Sequence, residues 1–264
     1  MNTEAPLEKL ANRAIDIIRS TRSMSFPHWG NVEIAANKGS ATDVVTKIDF
    51  AIEEYLAKQF SAVDQTIGFV GEEYGGDRTA SRHWLVDPID GTAHFVRGIP
   101  FCTTMVALVD GGQVVFSAIY DFVSDIMYHA IRGGGAFRND ERISVSDRDI
   151  ENAYMFYESN LGKGDNLTTF LEFKKQAKVL NTYNAGFEFT LIASGKIEGR
   201  VCVDPYGKDF DFAPGTLLVS EAGGVVKNIG SNAFDYRNLS FIAANPLVYE
   251  ALTVGEGALF PTKD

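Results

Sequence analysis

Trp84-Leu85-Val86-Asp87-Pro88-Ile89-Asp90-Gly91-Thr92 places two carboxylates three positions apart, with a proline and an isoleucine between them. His83 to Val86 reads as the apolar end of a buried strand. Pro88 cannot donate to a sheet ladder and is expected to close that strand, and Gly91 admits the tight backbone that follows. Such a turn can aim both carboxylates and the Ile89 carbonyl at one small volume. Left bare, the cluster repels itself, and a hard cation such as Mg2+ relieves the repulsion because it prefers carboxylate and carbonyl oxygen. The Gly91 and Thr92 amides fit the start of a short helix and could hold a phosphate oxygen. An isolated Asp-Pro or Asp-Gly is ordinarily only a solvated turn, so the weight rests on the whole string.

That string resembles the first signature of the inositol monophosphatase family, W-x-x-D-P-[IL]-D-G-T, whose members are magnesium-dependent phosphomonoesterases. Three further stretches resemble the family in the expected order. Asp43 to Asp49 is similar to its D-x-V-T-x-x-D segment, which implies an outer metal-site role for Asp49 and matches Lys38 to a lysine on a mobile catalytic loop. Gly71-Glu72-Glu73 corresponds to its G-E-E, which implies that Glu72 ligates metal and helps position the attacking water, with Glu73 further out. Lys208-Asp209-Phe210-Asp211-Phe212-Ala213-Pro214-Gly215 is similar to its second signature, which implies that Asp211 ligates metal from the opposite half. Phe210 stands there for Trp and Pro214 for Ala, the proline fitting a first helical turn. Read without the resemblance, Asp49 and Asp209 are a solvated first-turn acid and a helix cap, and Glu72 and Glu73 are an exposed pair.

Taken together, Glu72, Asp87, Asp90, Asp211 and the Ile89 carbonyl imply two or three Mg2+ per subunit. Such a clamp activates water, binds phosphate oxygens and stabilises the leaving alkoxide. Thr92 with Glu72 is expected to orient the water, and Asp90, Gly91 and Thr92 to meet the phosphate. On the substrate side, Tyr183-Asn184-Ala185-Gly186 stands where the family has G-[ST]-A-A, which brings Ala185 to the substrate. The alcohol-reading acid is matched by Asp204 when counted from Asp211, or by Cys202 when counted from Gly195. The expected reaction is hydrolysis of a small phosphate monoester, with myo-inositol monophosphate first. Histidinol phosphate, fructose 1,6-bisphosphate and nucleotide phosphates are alternatives within the superfamily, and a non-catalytic regulatory protein that kept the fold is the alternative outside it. The resemblance also implies an α+β fold, a layered α-β-α-β-α sandwich, usually homodimeric and commonly inhibited by lithium.

Elements must carry these residues to one place. Leu7, Leu10, Ala11, Ala14, Ile15, Ile17 and Ile18 predict an amphipathic helix over 5–22. Met24 to Asn37 is expected to be an extended hairpin, and Thr42 or Asp43 to cap a helix running to about Phe60. Thr66 to Val70 predicts a short strand ahead of Glu72. Cys102–Val109, Gln113–Tyr120 and Ser124–Ile131 predict consecutive antiparallel strands, and Gly133-Gly134-Gly135 a sheet bend. A polar seam at 144–151 divides one phosphatase unit, 1–264, into halves at 1–147 and 148–264. The second half reads strand 153–157, helix 167–177, strand 179–182, helix 188–194, strand 199–203 and helix 216–222.

With 264 residues the chain can bury a large core, and its composition is that of a globular protein. A net charge of −11 argues against nucleic-acid or anionic-membrane partners, so an anionic substrate needs local metal charge. Cys102 and Cys202 sit in apolar runs without metal-ligand spacing and are expected to be buried thiols. Met1 to Arg22 carries acids and has no signal-peptide core, and no apolar run approaches a membrane span, so a cytoplasmic location is expected. No G-x-S-x-G elbow appears. His94 is expected at a structural or rim position, and His28, His83 and His129 in structural ones.

Overall fold

Helical spacing of apolar residues produces α1 (Glu4–Ser20) in the computed structural model, which describes residues 4–37 and 44–262. Its Ala11, Ala14, Ile17 and Ile18 are buried. The expected hairpin over Met24 to Asn37 is instead α2 (Arg22–Ser25), a 3-10 turn opened by Pro27, and only then β1 (Ile34–Asn37). A proline preset for a helical first turn explains the difference. β1 pairs antiparallel with β2 (Val44–Thr46); Lys38, Thr42 and Asp43, between them, lie outside the described residues. Because β2 keeps the chain extended through residue 46, Thr46 caps α3 (Lys47–Val63), in place of the expected Thr42 or Asp43. Its hydroxyl accepts from the Ile48 amide at 3.1 Å, and Asp49 accepts from the Thr46 amide at 2.8 Å.

The chain continues through β3 (Gly68–Gly71), β4 (Gly75–Gly76), β5 (Arg82–Asp90), α4 (Thr92–Arg97), β6 (Thr103–Asp110), β7 (Gln113–Asp121), β8 (Ile126–Ile131), β9 (Gly135–Arg138) and β10 (Glu141–Ile143). The strands from β3 onward form one sheet, ordered β10-β9-β8-β7-β6-β5-β3-β4, antiparallel except for the β3–β5 pair. Both faces of this sheet are buried, which is why its strands read as unbroken apolar runs. Trp84, Val86, Val106, Leu108, Phe116 and Ala118 face α1 and α3, while Leu85, Met105, Ala107 and Ile119 face inward. The glycine bend before β9 directs the Gly133 and Gly135 amides at Glu221, at 2.8 and 2.9 Å.

After β10 come β11 (Tyr154–Ser159), α5 (Asn166–Gln176), β12 (Lys178–Leu180), α6 (Ala185–Ala193), β13 (Gly199–Val203), α7 (Asp209–Glu221), β14 (Val225–Asn228), β15 (Phe241–Ala244) and α8 (Pro246–Thr253). Their sheet is ordered β12-β11-β13-β15-β14, with β11 parallel to both of its neighbours. α6 and α7 lie between the two sheets and touch strands of both. That position accounts for an α7 apolar on every side, with Phe210, Phe212, Ala213, Leu217, Leu218 and Val219 buried. α5 and α8 cover the outer face through Phe173, Val248 and Leu252. The layers therefore run α-β-α-β-α. α7 starts well before the expected Thr216, so Pro214 falls inside the helix rather than in its first turn. There it removes one backbone bond, to the carbonyl of Phe210.

Candidate metal centre

β5 delivers the first two acids. The strand does not close at Pro88, as expected, but runs on to Asp90 through a register irregularity. Asp87 faces Met105 and Asp90 faces Thr103, so three steps on β5 match two on β6. Such a bulge absorbs a proline that cannot donate to the ladder and turns the side chains around it. The Pro88 carbonyl is taken instead by the Thr104 hydroxyl at 2.9 Å. Gly91 follows with φ of +86°, and the His94 and Phe95 amides return to its carbonyl at the start of α4. A Cβ on Gly91 would come within 2.6 Å of both Asn184 Nδ2 and the Phe101 carbonyl, so glycine is required there.

Asp211 joins from the first turn of α7. Ligand oxygens of Asp87, Asp90 and Asp211 all lie within 4.8 Å of one another. The Lys208 amide donates to Asp211, and the Gly186 amide to Asp90. Glu72 stands at the end of β3, where its amide extends the parallel register to the Val86 carbonyl at 3.0 Å. Burial first, and then the charges of Glu72, Asp90 and Asp211, push the Asp87 carboxyl well up. Burial and Asp211 do the same to Asp90, and Asp211 itself is pushed up to about 7, again chiefly by burial. Asp87 Oδ1 is buried without any donor. Repelling acids with an orphaned inward oxygen fit a divalent cation.

Asp49 is fully buried, and its Oδ1 accepts from the Thr92 hydroxyl at 2.9 Å. The same hydroxyl stands 3.0 Å from the Ile89 carbonyl. Glu72, Asp87, Ile89, Asp90, Gly91, Thr92, Ala185 and Asp211 line one cavity of about 1580 Å³. Asp204 and Cys202 are not among its lining residues. Asp204 is turned to Lys163 and Asn166, and Cys202 is buried in β13, where it accepts from Arg200 Nε at 3.1 Å. Lys38 lies outside the described residues. His94 lines the cavity with a buried, unpartnered Nδ1 and is lowered by burial and Arg97. His83 and His129 bind the carbonyls of Ala80 and Asn139.

Sequence reasoning missed the supports. Glu53, buried in α3, accepts from the Glu73 and Tyr74 amides at 2.8 and 2.9 Å and so pins the turn that presents Glu72. Asn184 caps α6 and donates to the Asp90 carbonyl at 2.7 Å. Arg200, 3% exposed, pairs with Glu158 and Glu188 where β11, α6 and β13 line the cavity. A charged residue inside the apolar run Gly199-Arg200-Val201-Cys202-Val203 was the one local signal for this last group.

The model of the inositol monophosphatase family matches residues 2–256. Inositol-1-monophosphatase of Mesorhizobium japonicum is 31% identical over 89% of this chain and 91% of its own. Fructose-1,6-bisphosphatase/inositol-1-monophosphatase of Thermotoga maritima is 27% identical over 90% of this chain and 91% of its own. Among solved structures, extragenic suppressor protein suhB from Bartonella henselae superposes with a TM-score of 0.81 at 28% identity, over 89% of this chain and 93% of that one. No described helix is long and apolar enough to cross a membrane.

Proposed function

The chain belongs to the inositol monophosphatase family, and from that premise we propose that it hydrolyses a small phosphate monoester with Mg2+, myo-inositol monophosphate being the leading substrate. It is a phosphoric monoester hydrolase. The observation that carries the reading is the arrival of Asp211, from a helix of the second half, within 4.8 Å of two acids at the end of β5. Glu72, Asp87, the Ile89 carbonyl, Asp90 and Asp211 would hold two or three cations. When bound, these supply the charge that lowers the pKa of water and offsets that of the phosphate.

The chain's own residues do the rest. The Thr92 hydroxyl, which lies beside both Asp49 and the Ile89 carbonyl, orients water with Glu72 and relays its proton, taking the one the attacking water gives up as it hands its own to Asp49. Burial raises Asp49, and burial first and like charge second raise Asp87, so both carboxyls favour a donor or a cation over bare ionisation. The Gly91 and Thr92 amides at the start of α4 receive phosphate oxygen, and Ala185 lines the side on which the alcohol leaves. Asp204 takes part only if it turns from Lys163, and alcohol recognition falls to the residues that line the cavity. Fructose 1,6-bisphosphate is the second substrate, favoured by relatives such as that of Thermotoga maritima, whose name carries both activities. A homodimer, lithium sensitivity and a cytoplasmic location belong to the same proposal. Phosphate release from a panel of monoesters, with and without Mg2+, tests it. Release of inositol and phosphate from myo-inositol 1-phosphate, abolished by EDTA, is expected; no release from any ester by protein that binds Mg2+ favours the regulatory alternative.

A further inference from the structure

Arg200 sits on β13, 3% exposed, in contact with carboxylates from two different elements. One guanidinium arm reaches Glu188 on α6 and the other reaches Glu158 on β11, while Nε meets Cys202. The rings of Phe189 and Phe212 lie 5.6 and 5.3 Å from it. Both carboxylates are occupied on their far sides as well. Glu188 Oε1 accepts from the Thr182 amide and hydroxyl at 2.8 and 2.9 Å, and Glu158 Oε1 from the Tyr206 and Gly207 amides at 2.9 and 3.0 Å.

Each arm leads to a different acid of the cluster. Through Glu188 it holds α6, whose Gly186 amide and Asn184 side chain grip Asp90. Through Glu158 it holds the 206–207 backbone, one residue before the Lys208 amide that grips Asp211. A buried ion pair adds little net stability over apolar residues of the same size, because desolvation offsets most of the attraction. What it supplies is a fixed geometry. The planar fork of arginine holds two carboxylates at once, which a lysine point charge cannot do.

We propose that Arg200 is a positioning residue that locks the supports of Asp90 and Asp211 to each other, and so sets the affinity of the cation site. This rests on the reading of Asp87, Asp90 and Asp211 as that site. The test is Mn2+ binding to the full-length, metal-free protein, followed by electron paramagnetic resonance without substrate. Wild type must bind first; if it does not, the cation-site reading fails and takes the proposal with it. Arg200→Lys keeps the buried charge but loses one arm. The triple variant Glu158→Gln, Arg200→Met, Glu188→Gln removes the charges together while keeping acceptors for the amides, so that no ion is left buried alone. Each is expected to bind Mn2+ about tenfold more weakly, the scale on which removing an outer-shell partner acts. A folded variant with wild-type Mn2+ affinity overturns the proposal, as does a raised KM at unchanged affinity. Wild type supplies a variant-free check by hydrogen exchange: the Gly186, Gly207 and Lys208 amides should slow together when Mg2+ is added, and independent responses contradict the coupling.

Discussion

Stripping divalent cations should make the stability of this protein fall as the pH rises. Asp211 is held at about 7, chiefly because burial penalises its ionised form and secondarily because Glu72 and Glu158 repel it. An unfolded aspartate ionises at about 3.9. With the folded value raised, the folded state holds more protons between those two values and loses its advantage as they leave. The loss begins as the pH passes about 4 and is complete above about 7, and for Asp211 alone it amounts to about 4 kcal/mol. For a chain of this size that is a fall in Tm of roughly 10 °C. Asp87 and Asp90 are raised in the same direction and deepen the fall. His94 and His129, both lowered mainly by burial, act oppositely below about pH 6.5, gaining stability as the pH rises. The quantity to follow is therefore the gain in Tm on adding cation. Scanning calorimetry in EDTA and in MgCl2, at pH 5 and pH 8, should show that gain roughly 7 °C larger at pH 8, because only the part of the loss between pH 5 and about 7, about 2.7 kcal/mol, lies between the two conditions. A gain independent of pH, or larger at pH 5, refutes the reasoning.

Four substitutions extend the test. Asp87→Asn should lower kcat by at least about 100-fold while raising the metal-free Tm at pH 8, because it removes a buried repulsive charge; near-normal turnover would remove Asp87 from the centre. Gly186→Ala would put a Cβ 2.2 Å from the Thr103 hydroxyl and 3.0 Å from Asp90 Oδ2, so cation affinity should drop together with about 1–3 kcal/mol of stability, measured by urea unfolding. Glu53→Ala should cost about 2–4 kcal/mol by stranding the Glu73 and Tyr74 amides, and it should weaken cation binding through the displaced Glu72 turn. Lys38→Ala should lower activity less than Asp87→Asn and raise the Mg2+ concentration needed for half-maximal rate; an unchanged Mg2+ dependence would separate Lys38 from the centre.

The parts of the fold that show in the sequence are those whose causes are local. The Asp87 to Thr92 string carries its own bulge, turn and helix start within a few residues, and the two-faced burial of β6 and β7 is written in their unbroken apolar runs. Boundaries set by distant partners do not show in this way. Thr46 replaces Asp43 as a cap only because β2 pairs with β1, and α7 can begin at Asp209 because both sheets close over its apolar surface. Pro88 reads as a strand end in the sequence because a bulge against β6 is invisible from one strand alone. Asp211 entered through the second signature, since no local property distinguishes it from Asp209, which pairs with Arg78. The substrate side is the least legible. Residue spacing points to Asp204, whereas the charged groups that line the cavity there, Glu158, Glu188 and Arg200, come from three elements and are linked only by folding.

Acids from β5 and from α7 are expected to capture divalent cations together. Anomalous diffraction from crystals soaked in Mn2+ tests it most directly. Peaks within about 2.2 Å of oxygens from Asp87, Asp90 and Asp211 in one cluster are the predicted result. Peaks that contact Asp87 and Asp90 but leave Asp211 unligated, or none at all, would contradict it.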